Sequence, residues 1–267
     1  MYILIPPSEG KNPYSNKEYF SLDSLSYKSL NVIRSEIINY LSDNKITKEN
    51  YIKTFGISSR NYEKINKMNS GIKTSEVIPS ISRYTGVLYD FIDYQSLDEK
   101  VKNLLHDSII IFSGLFGLLR PLDKIPNYKL KMGTKLLNGI KLSKFWKNQI
   151  TSVLQNELEN QIVCNLLPTE FNSAFDSKVI NLNYELKFSF FQENNDGEFK
   201  SITHWTKALR GSLVRYLLNE VGDFNSTDEI LSVSQLFTNN NEYEFSKQLS
   251  KFNKKKCEII YIKKYKS

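Results

Sequence analysis

The apolar positions of the chain fall into two kinds of segment. Short continuous runs rich in β-branched and aliphatic residues predict buried strands at Tyr2–Ile5, closed by Pro6 and Pro7, at 108–112, ending at Ser113 and Gly114, and at 161–167. The shorter runs 179–182 and 258–262 are read as strands on the same pattern. Segments 186–193 and 198–202 are expected to pair as a hairpin across the Asn-Asn-Asp-Gly turn at 194–197, because Asn and Gly adopt the backbone angles such turns need. Helical spacing marks 30–41, 144–158 and 203–220, and 229–237 is helical or mixed. Residues 50–68 read as two short helices broken at Phe-Gly-Ile-Ser, 55–58. The aromatic-rich stretch 82–89 leads into a polar one at 90–99, and 121–126 is loop. There is no internal repeat and no Gly/Ser linker. Strands alternating with helices predict an α/β or α+β fold, one domain over residues 1–267 built on a mixed sheet.

Charge changes this picture less than its total suggests. A net charge of +7 invites a nucleic-acid partner. However, residues 251–267 hold seven lysines against Glu258, which leaves only +1 for residues 1–250. Arginine is more informative. In a lysine-biased chain, Arg34, Arg60, Arg83, Arg120, Arg210 and Arg215 mark places where a planar, permanently charged fork is wanted. No run reaches the roughly 18 apolar residues of a membrane-spanning helix. The first residues lack the basic start of a secretory leader, so no membrane association is expected. Cys164 and Cys257 are far apart and form no CxxC, which fits a reducing cytoplasm.

Segment 203–220 gives the sharpest local argument. With about 100° per residue and Lys207 at zero, Gly211 falls near 40°, His204 near 60°, Arg215 near 80° and Arg210 near −60°. Trp205, Leu209, Leu213, Tyr216 and Leu217 gather between about 160° and 280°. One face is apolar, and the other sets three cations around a glycine that costs about 1 kcal/mol inside a helix. Close approach of an anion would account for that glycine, and so would helix packing.

Three further segments carry candidate chemistry. In 112–123, Phe-Ser-Gly-Leu-Phe-Gly-Leu-Leu-Arg-Pro-Leu-Asp, two glycines follow a strand, with Arg120 and Asp123 in reach. It matches neither the phosphate-loop nor the dinucleotide pattern. In 7–11, Pro-Ser-Glu-Gly-Lys, the strand exit gathers Ser8, Glu9 and Lys11 in one turn, as a polar anchor or a source of a general base. The break at 55–58 is similar to a helix–hairpin–helix, in which amides about Gly56 and Ser58 would hold a phosphate without reading sequence. His106 and His204 are not at ligand spacing, and no carboxylate–histidine cluster or G-x-S-x-G elbow occurs, so no metal and no cofactor are expected.

These blocks resemble the YaaA family of peroxide-stress proteins. The resemblance is carried by 7–11, by Arg-Tyr-Thr-Gly-Val-Leu-Tyr at 83–89, by 112–123 and by Tyr-Lys-Leu-Lys-Met-Gly at 128–133. It continues through Phe145-Trp146, Asn-Leu-Leu-Pro-Thr-Glu at 165–170 and Lys-Ala-Leu-Arg-Gly-Ser-Leu-Val-Arg-Tyr at 207–216. Phe116 and Phe171 stand where the family commonly has Tyr, Lys129 where it has Arg, and Pro-Ser-Glu-Gly-Lys replaces Ser-Pro-Ala-Lys. The resemblance implies a compact α/β domain with a positively charged cleft, DNA binding with a hairpin element at about 51–68, and a role in limiting iron-driven damage.

Two functional readings follow. In the first, Lys11, Arg83, Arg120, Lys207, Arg210 and Arg215 line a cleft that binds DNA phosphates irrespective of sequence. In the second, the chain is an enzyme acting on a nucleotide, base or small anion. Ser8, Glu9, Lys11, Asp123, Asn165 and Glu170 are then its polar set. Glu9 or Glu170 would be a general base. Lys11 would stabilise an anion, or act as a nucleophile if burial lowers its pKa. Protection against iron would act without a dedicated metal site in the chain.

Overall fold

A computed structural model describes residues 1–43, 46–136, 139–194, 196, 198–201, 206–221, 226–240 and 242–263. Among these, nine strands form one mixed sheet. They are β1 (Tyr2–Ile5), β2 (Ile109–Ser113), β3 (Gly117–Leu119), β4 (Ile162–Asn165), β5 (Tyr184–Glu193), β6 (Phe199–Ser201), β7 (Glu244–Phe245), β8 (Lys251–Phe252) and β9 (Lys256–Lys263). The order is β7-β9-β5-β4-β1-β2-β3, with β6 on β5 and β8 on β9. The inner strands β9, β5, β4, β1 and β2 run parallel, while β3, β6, β7 and β8 are antiparallel to their neighbours. Ile3, Leu4 and Ile5 face Ile109, Ile110 and Ile111 in register and are buried on both sides. Parallel strands covered on both faces explain why these segments read as unbroken apolar runs.

The helices of six residues or more are α1 (Asn31–Ser42), α2 (Lys48–Phe55), α3 (Tyr62–Ser70), α4 (Val87–Ile92), α5 (Glu99–Ser108), α6 (Leu142–Glu157), α7 (Thr206–Val221) and α8 (Thr227–Leu236). None of the described helices is long and apolar enough to cross a membrane. The predicted hairpin forms with Phe199 opposite Glu193 and Ser201 opposite Phe191. The segment 179–182 is not a strand. Its N–H groups close short local turns, Val179 onto the Asp176 carbonyl and Leu182 onto that of Ile180, and Val179 is exposed. The polar stretch that begins near Asp90 ends in α5, which is capped by the Asp98 side chain accepting from the Val101 N–H at 2.8 Å.

Helix α7 differs from its wheel. Ala208, Val214 and Leu218 are buried together with Leu209, Leu213 and Leu217, so the helix is enclosed on most sides. Gly211 lies where a Cβ would run into the Leu88 carbonyl oxygen and the Phe91 side chain of α4. Helix packing, not an approaching anion, accounts for this glycine. His204 and Trp205 lie outside the described residues.

Chain order fixes where a site is expected. From β1 the chain moves to β2 on one side, and it later returns to β4 on the other. The crevice beyond the carboxyl ends of β1 and β4 is therefore a topological switch point, where open α/β sheets place ligands.

Candidate functional site

A cavity of about 440 Å³ lies at this switch point, within the range of small-molecule sites. The β1 exit supplies Pro6–Lys11, and the β4 exit supplies Pro168, Glu170 and Phe171. The start of α4, the stretch 128–132 and the first turns of α7 complete the wall. Its cationic side chains are Lys11, Lys129, Lys131, Lys207 and Arg210, against the carboxylates Glu9 and Glu170, among the described lining residues.

The β1 exit is held rigidly. Pro6 and Pro7 cannot donate to a neighbouring strand, and the Tyr89 hydroxyl donates to the Pro6 carbonyl at 2.9 Å. The Thr85 N–H bonds the Gly10 carbonyl at 3.1 Å, and the Asn12 N–H bonds that of Arg83 at 2.8 Å. Lys11 is half-buried between these anchors. Its Nζ donates to the Ser8 carbonyl at 3.1 Å and lies 4.1 Å from the ring centre of Tyr128 and 5.5 Å from that of Tyr84. Burial first, then the charges of Lys129 and Arg83, lower its pKa to about 7, although Glu9 pulls the other way.

Glu9 is committed elsewhere. Its carboxylate takes Lys129 at 2.6 Å and Lys131 at 2.7 Å. Partial burial alone would raise its pKa, but these two lysines outweigh it and hold the carboxyl at about 2. Glu9 is thus a fixed anion near neutral pH and a poor general base. Glu170 is exposed on the opposite wall.

The stretch 128–132 contributes to the cavity wall without a catalytic or phosphate-binding motif of its own. Tyr128, Leu130 and Met132 are buried, while Lys129 and Lys131 point outward. That period of two was visible in Tyr-Lys-Leu-Lys-Met and would have marked both lysines as one face. The stretch passes so close to Gly114 that a Cβ there would lie 2.9 Å from the Lys131 carbonyl carbon. Gly114 therefore serves close backbone packing. Tyr128 is fixed through hydroxyl contacts of 2.7 Å to Tyr84 and 2.8 Å to Ser113.

The remaining candidates lie apart from the cavity. The Arg83 guanidinium is buried and donates to the carbonyls of Ile125, Asn12, Tyr14 and Glu76. Arg120 pairs with Glu157, donates to the Asp107 carbonyl at 3.0 Å and lies over Tyr2, at the amino ends of the parallel strands. Asp123 accepts from the Ser26 N–H and hydroxyl and from the Arg120 N–H, each at 2.8 Å. Arg215 donates at 3.0 Å to the Ile92 and Asp93 carbonyls at the end of α4. Asn165 bridges Asn172 and Glu185 at 2.9 Å and so shapes the β4 exit. Arg34, likewise buried, holds the Phe116 and Leu118 carbonyls. These forks are used as carbonyl clamps, a use of arginine that sequence cannot distinguish from anion binding. Arg210 differs. It lines the cavity, and its Nε is buried without a hydrogen-bond partner among the described residues.

The hairpin is a tight connection between α2 and α3. Gly56 ends α2 at φ 58°, and the Ile57 N–H returns to the Ile52 carbonyl at 3.1 Å. Gly56, Ser58, Ser59 and Arg60 face solvent. Asn69, at the end of α3 and fully buried, grips Lys129 through both backbone groups at 2.8 and 3.0 Å. The hairpin unit is thereby tied to the cavity wall.

The profile of the family described as peroxide stress protein YaaA matches residues 1–249. The chain belongs to the YaaA family. Among its relatives, a protein of Campylobacter jejuni is 31% identical over 216 residues, 80% of this chain and 83% of its own length. A UPF0246 protein of Francisella philomiragia is 30% identical over 213 residues, covering 78% and 76%. A UPF0246 protein of Rickettsia rickettsii is 33% identical over 187 residues, covering 69% and 70%. The family's association with peroxide stress carries to the chain as a class, while these relatives' names assign no activity.

Proposed function

We propose that the chain acts in peroxide stress by binding DNA, with one phosphate-bearing group seated in the switch-point cavity and the hairpin at Gly56 and Ser58 on a neighbouring phosphate. The observation that carries this reading is Arg210, a guanidinium whose buried Nε has no hydrogen-bond partner among the described residues, in a wall that also holds Lys11, Lys129, Lys131 and Lys207. A buried unpaired donor costs free energy that an anion would offset. Lys207 and Arg210 are then the phosphate contacts, while Arg83 and Arg215 support the backbone that frames them. Protection against iron follows from occupying DNA. Among the described residues, no group of three His, Cys, Asp or Glu is placed to hold a metal ion. The test is a binding titration of duplex DNA over a range of salt, with affinity expected to fall steeply as counterions compete.

A second reading, an enzyme for a nucleotide or another small anion, is favoured by the cavity's size and by Lys11. A pocket of about 440 Å³ takes one nucleotide-sized group, not a length of duplex. Calorimetry with nucleoside monophosphates separates the readings. Tight binding without DNA favours the enzyme, and binding only of DNA favours the first reading.

A further inference from the structure

Lys11 is placed for more than charge. Its backbone is locked by the bridge to Tyr84 and by the flanking bonds at Gly10 and Asn12. Its Nζ has aromatic faces beneath it and one carbonyl partner among the described residues, and the nearby carboxylate of Glu9 is taken by Lys129 and Lys131. A lysine kept for an ion pair would hold that carboxylate itself. The cavity it faces has an apolar wall from Leu130, Met132 and Phe171, and cations at Lys207 and Arg210.

We propose that Lys11 Nζ is a nucleophile that forms an imine with the carbonyl carbon of a phosphate-bearing aldehyde, whose phosphate rests on Lys207 and Arg210. The inference rests on the anion-binding reading of the same cavity. The Nζ lone pair adds to the carbonyl carbon, and the C=O π pair moves to oxygen. That oxygen takes a proton from the nitrogen to give a carbinolamine. Loss of the hydroxyl with the remaining N–H proton, as one water, leaves C=N. No oxidant or reductant is needed. A free amine is required, and a surface lysine supplies little of it at neutral pH. With its pKa near 7, about half of Lys11 is in that form at neutral pH. Lys129 and Arg83 from the adjoining segments favour the amine, and Glu9 opposes it.

Two sources share this chemistry: a free sugar phosphate, and the open-chain deoxyribose at an abasic position in DNA. The full chain is incubated with glyceraldehyde 3-phosphate, with a duplex carrying one abasic site, and with the intact duplex, each with and without sodium cyanoborohydride. Intact mass and peptide mapping then locate any adduct. The expected result is one reduced adduct on Lys11, lost in Lys11→Arg and Lys11→Gln variants whose cooperative melts show that they are folded. Its rate should rise about tenfold from about pH 6 to about pH 8, following the amine fraction. Adduct with the abasic duplex supports the imine and DNA as its source. Adduct with the free aldehyde alone supports the imine and overturns the DNA source. Absence of adduct with either, or adducts scattered over surface lysines and unchanged in Lys11→Arg, overturns the proposal. Binding of the intact duplex without reductant reports separately on the DNA reading.

Discussion

Gly211→Ala tests how α7 is seated. In an ordinary helix interior this change stabilises by about 1 kcal/mol, because alanine loses less backbone freedom than glycine. Here the added Cβ would meet the Leu88 carbonyl oxygen and come within 2.8 Å of the Phe91 Cβ. Leu88 contributes backbone, which has no alternative rotamer, so α4 and α7 must separate. Overpacking of this kind costs about 1–3 kcal/mol, and a backbone collision belongs at the upper end. After the propensity gain, the net loss is about 2 kcal/mol, or about 5 °C in melting temperature for a chain of this size. Asn219→Ala, on the exposed surface of the same helix, is the control and should gain about 0.5 kcal/mol. Leu88 also lines the cavity, so Gly211→Ala should weaken anion binding as well. Thermal melts of the three proteins decide the matter. A Gly211→Ala variant that melts above the parent, alongside Asn219→Ala, would refute the close packing of α4 on α7.

Further outcomes follow from the same geometry. Leu213→Ala should lose about 2–5 kcal/mol by opening a cavity in the core, while Arg210→Ala should melt near the parent and lose anion affinity. Arg215→Ala should cost about 1 kcal/mol, because it releases two carbonyls at the end of α4; parallel melts and binding titrations check all three. Lys11 has its folded pKa lowered from 10.5 to about 7, so the folded state binds fewer protons than the unfolded state between those values. Its cost to stability is full below about pH 7 and is relieved as pH rises towards 10.5. Lys11→Met should therefore be more stable than the parent at about pH 6, with the advantage shrinking by about pH 9.5, as read by urea unfolding; an equal effect at both pH values would contradict the shift. Anaerobic calorimetry with ferrous iron should give no tight stoichiometric binding, and a tight site would overturn the account of protection without metal.

The sequence revealed the architecture where burial is two-sided and the site where chemistry is local. The apolar runs at Tyr2–Ile5 and 108–112 have no polar alternation, and they became parallel strands enclosed on both faces. The run 179–182 looked similar, yet its residues close local turns, because a short apolar run does not say whether a sheet edge is available to it. At the cavity, Ser8, Glu9, Lys11, Glu170, Lys207 and Arg210 come together from three segments. Arg83, Arg120, Arg215 and Asp123 sit in motifs as distinctive as theirs, but their polar atoms are engaged within the fold, mostly by backbone groups and, for Arg120 and Asp123, also by the Glu157 carboxylate and the Ser26 hydroxyl. Carbonyl clamping and phosphate binding ask for the same fork, so only the fold separates them. Lys129 and Lys131 belong to no charged motif, and only their alternation with the buried Tyr128, Leu130 and Met132 marks them as one face.

The central claim is that phosphate is held by Lys207 and Arg210 in the cavity. It is tested most directly by the salt dependence of duplex binding in the parent, in Lys207→Ala/Arg210→Ala, and in a control with the exposed Lys251, Lys254 and Lys255 changed to Gln. Truncation at residue 250 is not a usable control, because it removes β9, which pairs with β5 over eight residues. Log affinity should fall linearly with log salt in the parent, and the double variant, which loses the one phosphate contact these two residues share, should be shallower by about 0.9. The control should keep most of the slope. Binding that is absent at low salt, or a slope kept by the double variant and lost by the control, would contradict the account and move the site to the lysine-rich end of the chain.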